Sequence, residues 1–292
     1  MNGPQASWLA DGRRLHLNHG PIDLIIETFG EGPERRAAYA AAEARFRTIL
    51  EELVTELVEL RKPVGATLRR FAGPTAGRME RAVQKFHPEF ITPMAAVAGS
   101  VADEILAAMC MAADLDKAYV NNGGDIAFHL APGAEIRAAI AGTGQGFADR
   151  LMIRASDAAR GIATSGWRGR SFSLGIADAV SVLAKDAAAA DAAATLIANA
   201  IDLPGHRAIV RQAANELSPD SDLGERLVTT AVGPLSAGDV AEALDHGAAV
   251  AEAYRKRGLI VAAALFLQGD TRICGKITPA TGRARNESLS HA

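Results

Sequence analysis

The sequence predicts an α+β protein, with a mixed, mostly antiparallel sheet and long helices packed on it. Three observations carry that reading. Apolar residues recur at spacings of three and four over residues 37–60, with Glu and Arg between them, the pattern of a helix with one buried face. Apolar runs of strand length, such as 259–267, carry no polar face. The two kinds of segment are interleaved, with too few helices for strict βα alternation.

Taken in order, residues 1–20 are polar and read as irregular, with a short strand over 13–17. Ile22, Leu24, Ile25 and Ile26 mark a buried strand over 21–28. The helix over 37–60 stops at Pro63, which cannot continue a helical ladder. Residues 63–90 carry Gly73, Pro74, Gly77 and Pro88 and read as a loop with a short helix. An Ala- and Met-rich helix covers 97–113. A strand at 119–121 turns at Gly123-Gly124 and resumes through His129, followed by strands over 135–141 and 150–154. Strands over 161–164 and 179–184 flank a Ser/Gly/Arg loop. Asp186 is placed as the N-cap of an Ala helix over 187–200. Residues 204–217 read as a helix, 227–232 as a strand, 237–258 as a helix and 259–267 as a strand. No composition break separates domains, so 1–292 reads as one unit with loose ends at 1–20 and 279–292.

The composition, 49% hydrophobic and 22% charged over 292 residues, is that of an ordinary globular chain rather than a disordered one. A net charge of −3 gives no attraction for nucleic acid or an anionic membrane, so neither is expected as a partner. Cys110 and Cys274 form no metal or redox spacing, and Cys110 reads as a buried thiol in a helix. Residues 1–12 lack a signal-like apolar core, and no run of about 18 apolar residues occurs. A cytoplasmic location without a membrane span is the expectation.

Three segments carry candidate chemistry. Asn121-Asn122-Gly123-Gly124-Asp125 follows a strand; its glycines permit positive φ and leave backbone N–H groups open to a ligand. A plain tight turn satisfies the same text. Thr164-Ser165-Gly166-Trp167-Arg168-Gly169-Arg170-Ser171 collects hydroxyls, glycines and guanidinium groups suited to phosphate oxygens, or to a solvated loop. It lacks the Gly-Lys-Ser/Thr ending of a P-loop. Asp191, Thr195 and Asn199 fall on one face of an otherwise apolar helix. Oxygen donors on one stripe suit Mg²⁺ or Ca²⁺, or a hydrogen bond to a neighbouring loop. Asp178, entering a strand after the loop, is the candidate general base. His87 and His129 stand alone, so no transition-metal spacing exists. Asp103 and Glu104 read as dipole partners at the start of their helix.

These segments, in this order, resemble the ApbE-type FAD:protein FMN transferases. Val120-Asn121-Asn122-Gly123-Gly124-Asp125-Ile126 resembles their Asn-x-Gly-Gly-Asp-Ile segment, Ala163-Thr164-Ser165-Gly166 their Thr-Ser-Gly loop, and Ala190-Asp191-Ala192-Ala193-Ala194-Thr195 their Ala-Asp-(three residues)-Thr helix. The resemblance implies an ApbE-like, T-fold-like architecture and a site for FAD or FMN. Asn121, Asn122, Gly123, Gly124, Asp125, Thr164, Ser165, Gly166, Arg168 and Arg170 would line that site, and Asp191 and Thr195 would hold Mg²⁺. Two departures stand out. Gly99-Ser100-Val101-Ala102-Asp103 replaces a Gly-Ala-x-Ala-Lys run, and 171–178 replaces a His-x-x-Asp-Pro-x-x-Gly segment. The chain as a whole looks similar to a compact ApbE-like branch associated with homocysteine biosynthesis and sulfide assimilation. Two functional expectations follow: a flavin-type ligand with Mg²⁺ and FMN transfer, or a non-catalytic component of the sulfur pathway. The partner would be an acceptor or sulfur-pathway protein, and a homodimer remains open.

Overall fold

The computed structural model describes residues 3–139 and 150–277. Strands β1 (Gln5–Trp8), β2 (Leu15–His19) and β3 (Ile22–Phe29) lead into α1 (Gly32–Thr55), the short α2 (Leu57–Leu60) and α3 (Pro74–Gln84). A 3₁₀ turn at Pro93–Ala96 runs into α4 (Val97–Ala112). Then come β4 (Lys117–Asn122), β5 (Asp125–Leu130), β6 (Glu135–Ala139), β7 (Arg150–Arg154), β8 (Gly161–Ser165) and β9 (Ala179–Ala184). The chain continues with α5 (Ala187–Ala200), β10 (Ile209–Ala213), α6 (Ala214–Leu217), β11 (Leu227–Val232), α7 (Ala237–Lys256), β12 (Ala262–Leu267) and β13 (Asp270–Cys274).

Nine strands make one sheet in the order β1-β2-β3-β4-β5-β8-β9-β12-β13, antiparallel at every pairing. The expected α+β architecture is therefore the observed one. The helices α1, α4, α5 and α7 lie side by side across this sheet, each over the strands nearest it in the order. Their apolar faces meet inward-pointing strand residues such as Leu24, Val120, Val182 and Leu265 in the main core. On the reverse face, Phe128, Ile162 and Leu183 are covered by Ala138, Leu151 and Ile153 of the β6–β7 hairpin. The reverse face of β9 and β12 is covered there at Leu183 and Ala262, while Ala179, Ala264 and Phe266 pack together with Ile277, so both strands are buried along their whole length and carry no polar alternation.

The helix layer is packed closely because α5 is nearly all alanine and its neighbours present glycine. A Cβ on Gly99 of α4 would lie 2.3 Å from the Ala187 carbonyl oxygen, and one on Gly161 of β8 would lie 2.2 Å from Ala187 N. One on Gly175 would lie 2.1 Å from the Ala198 carbonyl oxygen. The two central helices also cap each other. Asp103 on α4 accepts from Ala187 N at 3.1 Å and Ala188 N at 2.9 Å, the otherwise unpaired first amides of α5. Asp191 on α5 accepts from Gly99 N, in the first turn of α4, at 3.0 Å. Asp186 completes the α5 cap by accepting from Ala189 N at 2.7 Å, as its position predicts.

Several expectations change. Residues 204–217 are not a helix: β10 pairs with β11 as a separate hairpin, and only 214–217 is helical. The strand expected over 13–17 is β2 at 15–19, inside the sheet between β1 and β3, and residues 5–8 add the edge strand β1 where irregular chain is expected. The last long strand begins at Ala262, and β13 follows it. Asp103 and Glu104 lie inside α4 rather than in its first turn. Cys110 is exposed, not buried. Parts of two expectations, the strand end at 140–141 and the loose tail at 279–292, lie outside the described residues. Pro93–Ala112 is long and apolar enough to cross a membrane, with mean hydropathy 1.5, and it packs here against α1, α3 and α5.

Gly161→Ala places a methyl group against α5 backbone. It is expected to lower unfolding stability by about 1–3 kcal/mol in urea titration, with little change in the slope.

Candidate functional site

The β4–β5 turn, the loop after β8 and the cavity-facing side of α5 surround a cavity of about 630 Å³. The turn is built by its own residues. Gly123 and Gly124 adopt φ of +63° and +111°, which side chains rarely tolerate, and Asn121 Oδ1 accepts from Gly124 N at 2.8 Å. Asn122 Nδ2 donates to the Ala98 carbonyl at 3.1 Å, fastening the turn to the start of α4. Asp125 Oδ1 accepts from Thr164 N at 3.1 Å, fastening it to β8.

The loop after β8 needs small residues where it leaves the sheet. A Cβ on Gly166 would lie 2.5 Å from the Asp178 carbonyl oxygen. Thr164 Oγ1 pairs with Ser181 Oγ at 2.8 Å. The loop then folds back so that the Arg170 guanidinium covers Gly123, where a Cβ would sit 1.8 Å from Nη2. Arg168 Nε donates to Asp178 Oδ1 at 2.9 Å, and its guanidinium lies 4.9 Å from the Trp167 ring centre.

The electrostatics centre on three carboxylates. Burial pushes the Asp125 carboxyl up to about 7, against the Thr164 amide and Arg170, which pull it down. Asp191 is half-buried beside the cavity, but the protein packed around its carboxylate withholds most water. That burial, with the nearby charge of Asp125, holds its pKa well above the ordinary range, although amides at Gly99 and Ala98 oppose it. Asp103 is pushed to about 6 by burial. Two buried carboxylates acting on each other beside a cavity are costly unless something positive joins them.

The cavity collects Asn122, Gly123, Asp125, Thr164, Ser165, Gly166, Arg168, Arg170, Asp191 and Thr195. Asn121 and Gly124 serve the turn itself. Asn199 leaves the expected stripe: its Oδ1 accepts from Leu174 N at 2.9 Å and holds the loop. Asp178 is not in the cavity wall. Its second oxygen accepts from Gln268 N at 2.6 Å, so both oxygens anchor structure. The wall also includes Met94, Phe172, Ser221, Asp222 and Leu223, which the sequence reading did not single out. Asp222 reaches it from the connection between α6 and β11 and accepts from the Thr92 hydroxyl.

No cluster of three His, Cys, Asp or Glu side chains suited to a metal occurs among the described residues. The donors that do meet are Asp125, Asp191 and the Thr195 hydroxyl. An all-oxygen set with unneutralised carboxylates fits a hard divalent cation and does not fit zinc. Arg168 and Arg170 line the same cavity from the loop after β8.

A family model described as AbpE bacteria matches residues 6–273, and the chain belongs to that family. It is 38% identical over 131 residues to a UPF0280 protein of Methanothrix thermoacetophila, a match taking in 44% of this chain and 53% of that protein. A UPF0280 protein of Methanococcoides burtonii is 39% identical over 120 residues, 41% of this chain and 49% of the relative. The chain thus spans about half the length of the curated relatives it matches. The apo flavinyl transferase ApbE of Pseudomonas stutzeri is 10% identical over 94% of this chain and 93% of that one, with a TM-score of 0.44, too remote to assign residue roles.

The Asp103 cap has a pH signature. Its folded pKa of about 6 lies above the ordinary 3.8, so its contribution is fully present below that ordinary value and is lost as pH rises through 6. Between about pH 4 and pH 6 the wild type is expected to lose on the order of 3 kcal/mol relative to Asp103→Asn, read by urea unfolding across that range.

Proposed function

We propose that the protein binds a phosphorylated, flavin-type ligand together with Mg²⁺ in this cavity and acts as an FAD:protein FMN transferase. The observation that carries the reading is the meeting of two mutually repelling buried carboxylates, Asp125 and Asp191, with Arg168 and Arg170 across one cavity. Membership of the AbpE bacteria family supports it. Asp191 and Thr195 would hold the cation, with Asp125 beside them. Bound there, Mg²⁺ would supply charge neutralisation for a pyrophosphate. The Ser165 hydroxyl, with Arg168 and Arg170, would orient the phosphate oxygens. In the transfer, a bond forms between the FMN phosphorus and an acceptor Ser or Thr oxygen. The phosphoanhydride bond to AMP breaks, and the hydroxyl proton passes to a base. Asp125, which lines the cavity, replaces Asp178 in that role. The partner in this reading is an acceptor protein.

One observation favours a second reading. Asp178 is occupied by Arg168 and Gln268, so the loop itself brings no free base. A chain that binds the ligand without splitting it would be a non-catalytic component of sulfide assimilation or homocysteine biosynthesis.

The test is thermal unfolding with FAD, FMN and ADP, each with and without Mg²⁺, followed by chromatography for AMP. Stabilisation by FAD that requires Mg²⁺ is expected, and AMP release with an acceptor protein present selects the transferase reading. Asp191→Asn, which keeps an acceptor for Gly99 N, is expected to abolish the Mg²⁺ requirement while the protein still folds. If that variant binds FAD with unchanged cation dependence, the proposal fails. Cation binding must also displace protons from Asp125 and Asp191. Affinity for Mg²⁺ is therefore expected to rise with pH up to about 7, by up to about tenfold per pH unit for each proton displaced, as read by calorimetry in buffers of different ionisation enthalpy.

A further inference from the structure

A second cavity, of about 550 Å³, lies between the β1–β2 hairpin and the first turns of α1, and it shares no wall residue with the ligand cavity. Trp8 stands opposite Leu15 across that hairpin, and both enter the wall with Tyr39 of α1. The Trp8 ring meets the Tyr39 ring edge-on, with centres 4.8 Å apart, yet Trp8 remains 54% exposed. Two cations, Arg35 and Arg36, enter the wall from α1. Among the described residues neither forms an ion pair, whereas Arg13, Arg14 and Arg47 all do. The Arg35 Nε is shut off from solvent and has no hydrogen-bond partner. Glu43, the carboxylate in the wall, is taken by Arg47 at 2.7 Å. The Tyr39 hydroxyl is also taken: it accepts from Thr28 N and donates to the Arg13 carbonyl.

We infer that this cavity binds a small anion carrying a planar ring, with its carboxylate or phosphate group at Arg35 and Arg36 and its ring against Trp8. A buried guanidinium donor without a partner is costly until an acceptor reaches it. With Glu43 and the Tyr39 hydroxyl already committed, that acceptor comes from a ligand. Guanidinium groups take carboxylate and phosphate alike, through paired N–H donors. The indole beside them is more than half exposed and offers apolar area and a π-face to a flat ring. Tyr39 packs against that indole, so little freedom is lost when a ligand settles on it. The volume suits a ring-sized ligand rather than a single ion. The alanine helix and the Gly-Gly turn contribute nothing to this wall, so the site stands apart from the proposed Mg²⁺ and flavin chemistry.

The test follows Trp8 fluorescence in a Trp167→Phe background, where Trp8 is the sole indole, without added Mg²⁺. The probes are benzoate and AMP, with acetate and inorganic phosphate as anions that lack a ring. Benzoate, AMP or both are expected to change the Trp8 emission saturably. Arg35→Met and Arg36→Gln are each expected to weaken that binding about tenfold, the loss of one charge-assisted hydrogen bond. Acetate and phosphate, read by competition, are expected to bind at least about tenfold more weakly than their ring-bearing counterparts. Urea unfolding of each variant reports whether it folds. Arg36 is exposed, so Arg36→Gln decides the matter if Arg35→Met does not fold. Emission that stays unchanged or changes only linearly with both ring-bearing probes overturns the proposal. Equal binding in the Trp167→Phe protein and its Arg36→Gln variant overturns it too, as does competition by acetate and phosphate at the strength of benzoate and AMP. Loss of Mg²⁺-dependent FAD binding in the full chain would sink the flavin reading and leave this result unmoved.

Discussion

The structure depends on the contact between α4 and α5. Their backbones approach closely at Gly99 and Ala187, and each helix supplies the acid that caps the other: Asp103 for α5 and Asp191 for α4. Neither cap works without the close approach, and the close approach would leave buried amides unpaired without the caps. Glycine and alanine therefore serve here as spacing devices rather than as fillers. The cavity inherits this geometry. Asp191 reaches the ligand wall only because its helix sits against the start of α4, where Ala98 also receives the Asn122 side chain.

Much of the fold was legible in the sequence, for reasons tied to burial. The bounds of β9, α5 and β11 follow from the text because their patterns are complete: a wholly buried strand, a capped alanine helix and a bounded β-rich run. Elements at the rim were not legible in the same way. β1 is exposed at all its positions and β13 at most of them, so their strand state comes from a neighbour's backbone and not from side-chain patterning. The misread helix over 204–217 has the same origin. Residues 209–213 are half-exposed on a detached hairpin, and the helix formers Ala214-Asn215-Glu216-Leu217 extended an apparent helical pattern across a strand.

The candidate site divides in a comparable way. Local chemistry marked the Gly-Gly turn, the Thr-Ser-Gly loop and the acid of the alanine helix, because glycines and buried carboxylates are expensive without a purpose. Roles that depend on distant partners stayed hidden. Asp178 looked like a free base until Gln268, ninety positions later, supplied an amide to it. Asp222 lies in a polar connection with no local signal and enters the cavity wall only through its bond to Thr92. Asp103 carried the wrong sign for a resemblance-based lysine, yet its position serves the neighbouring helix.

The charge around the cavity orders the events that the proposed function requires. Asp178 already neutralises Arg168, which leaves Arg170 facing Asp125, with Asp191 and Asp222 also in the wall. Acids outnumber free bases, so a bare pyrophosphate would meet net repulsion. Protonation of Asp125 and Asp191 relieves part of it near neutral pH, as their raised pKa values indicate. A divalent cation relieves more of it, and does so where the phosphate must sit. On the proposed function, cation and nucleotide therefore bind with positive coupling, each raising the affinity for the other by the same factor. The buried carboxylate pair is what makes that coupling necessary: it disfavours the nucleotide alone and favours the nucleotide that arrives with its metal.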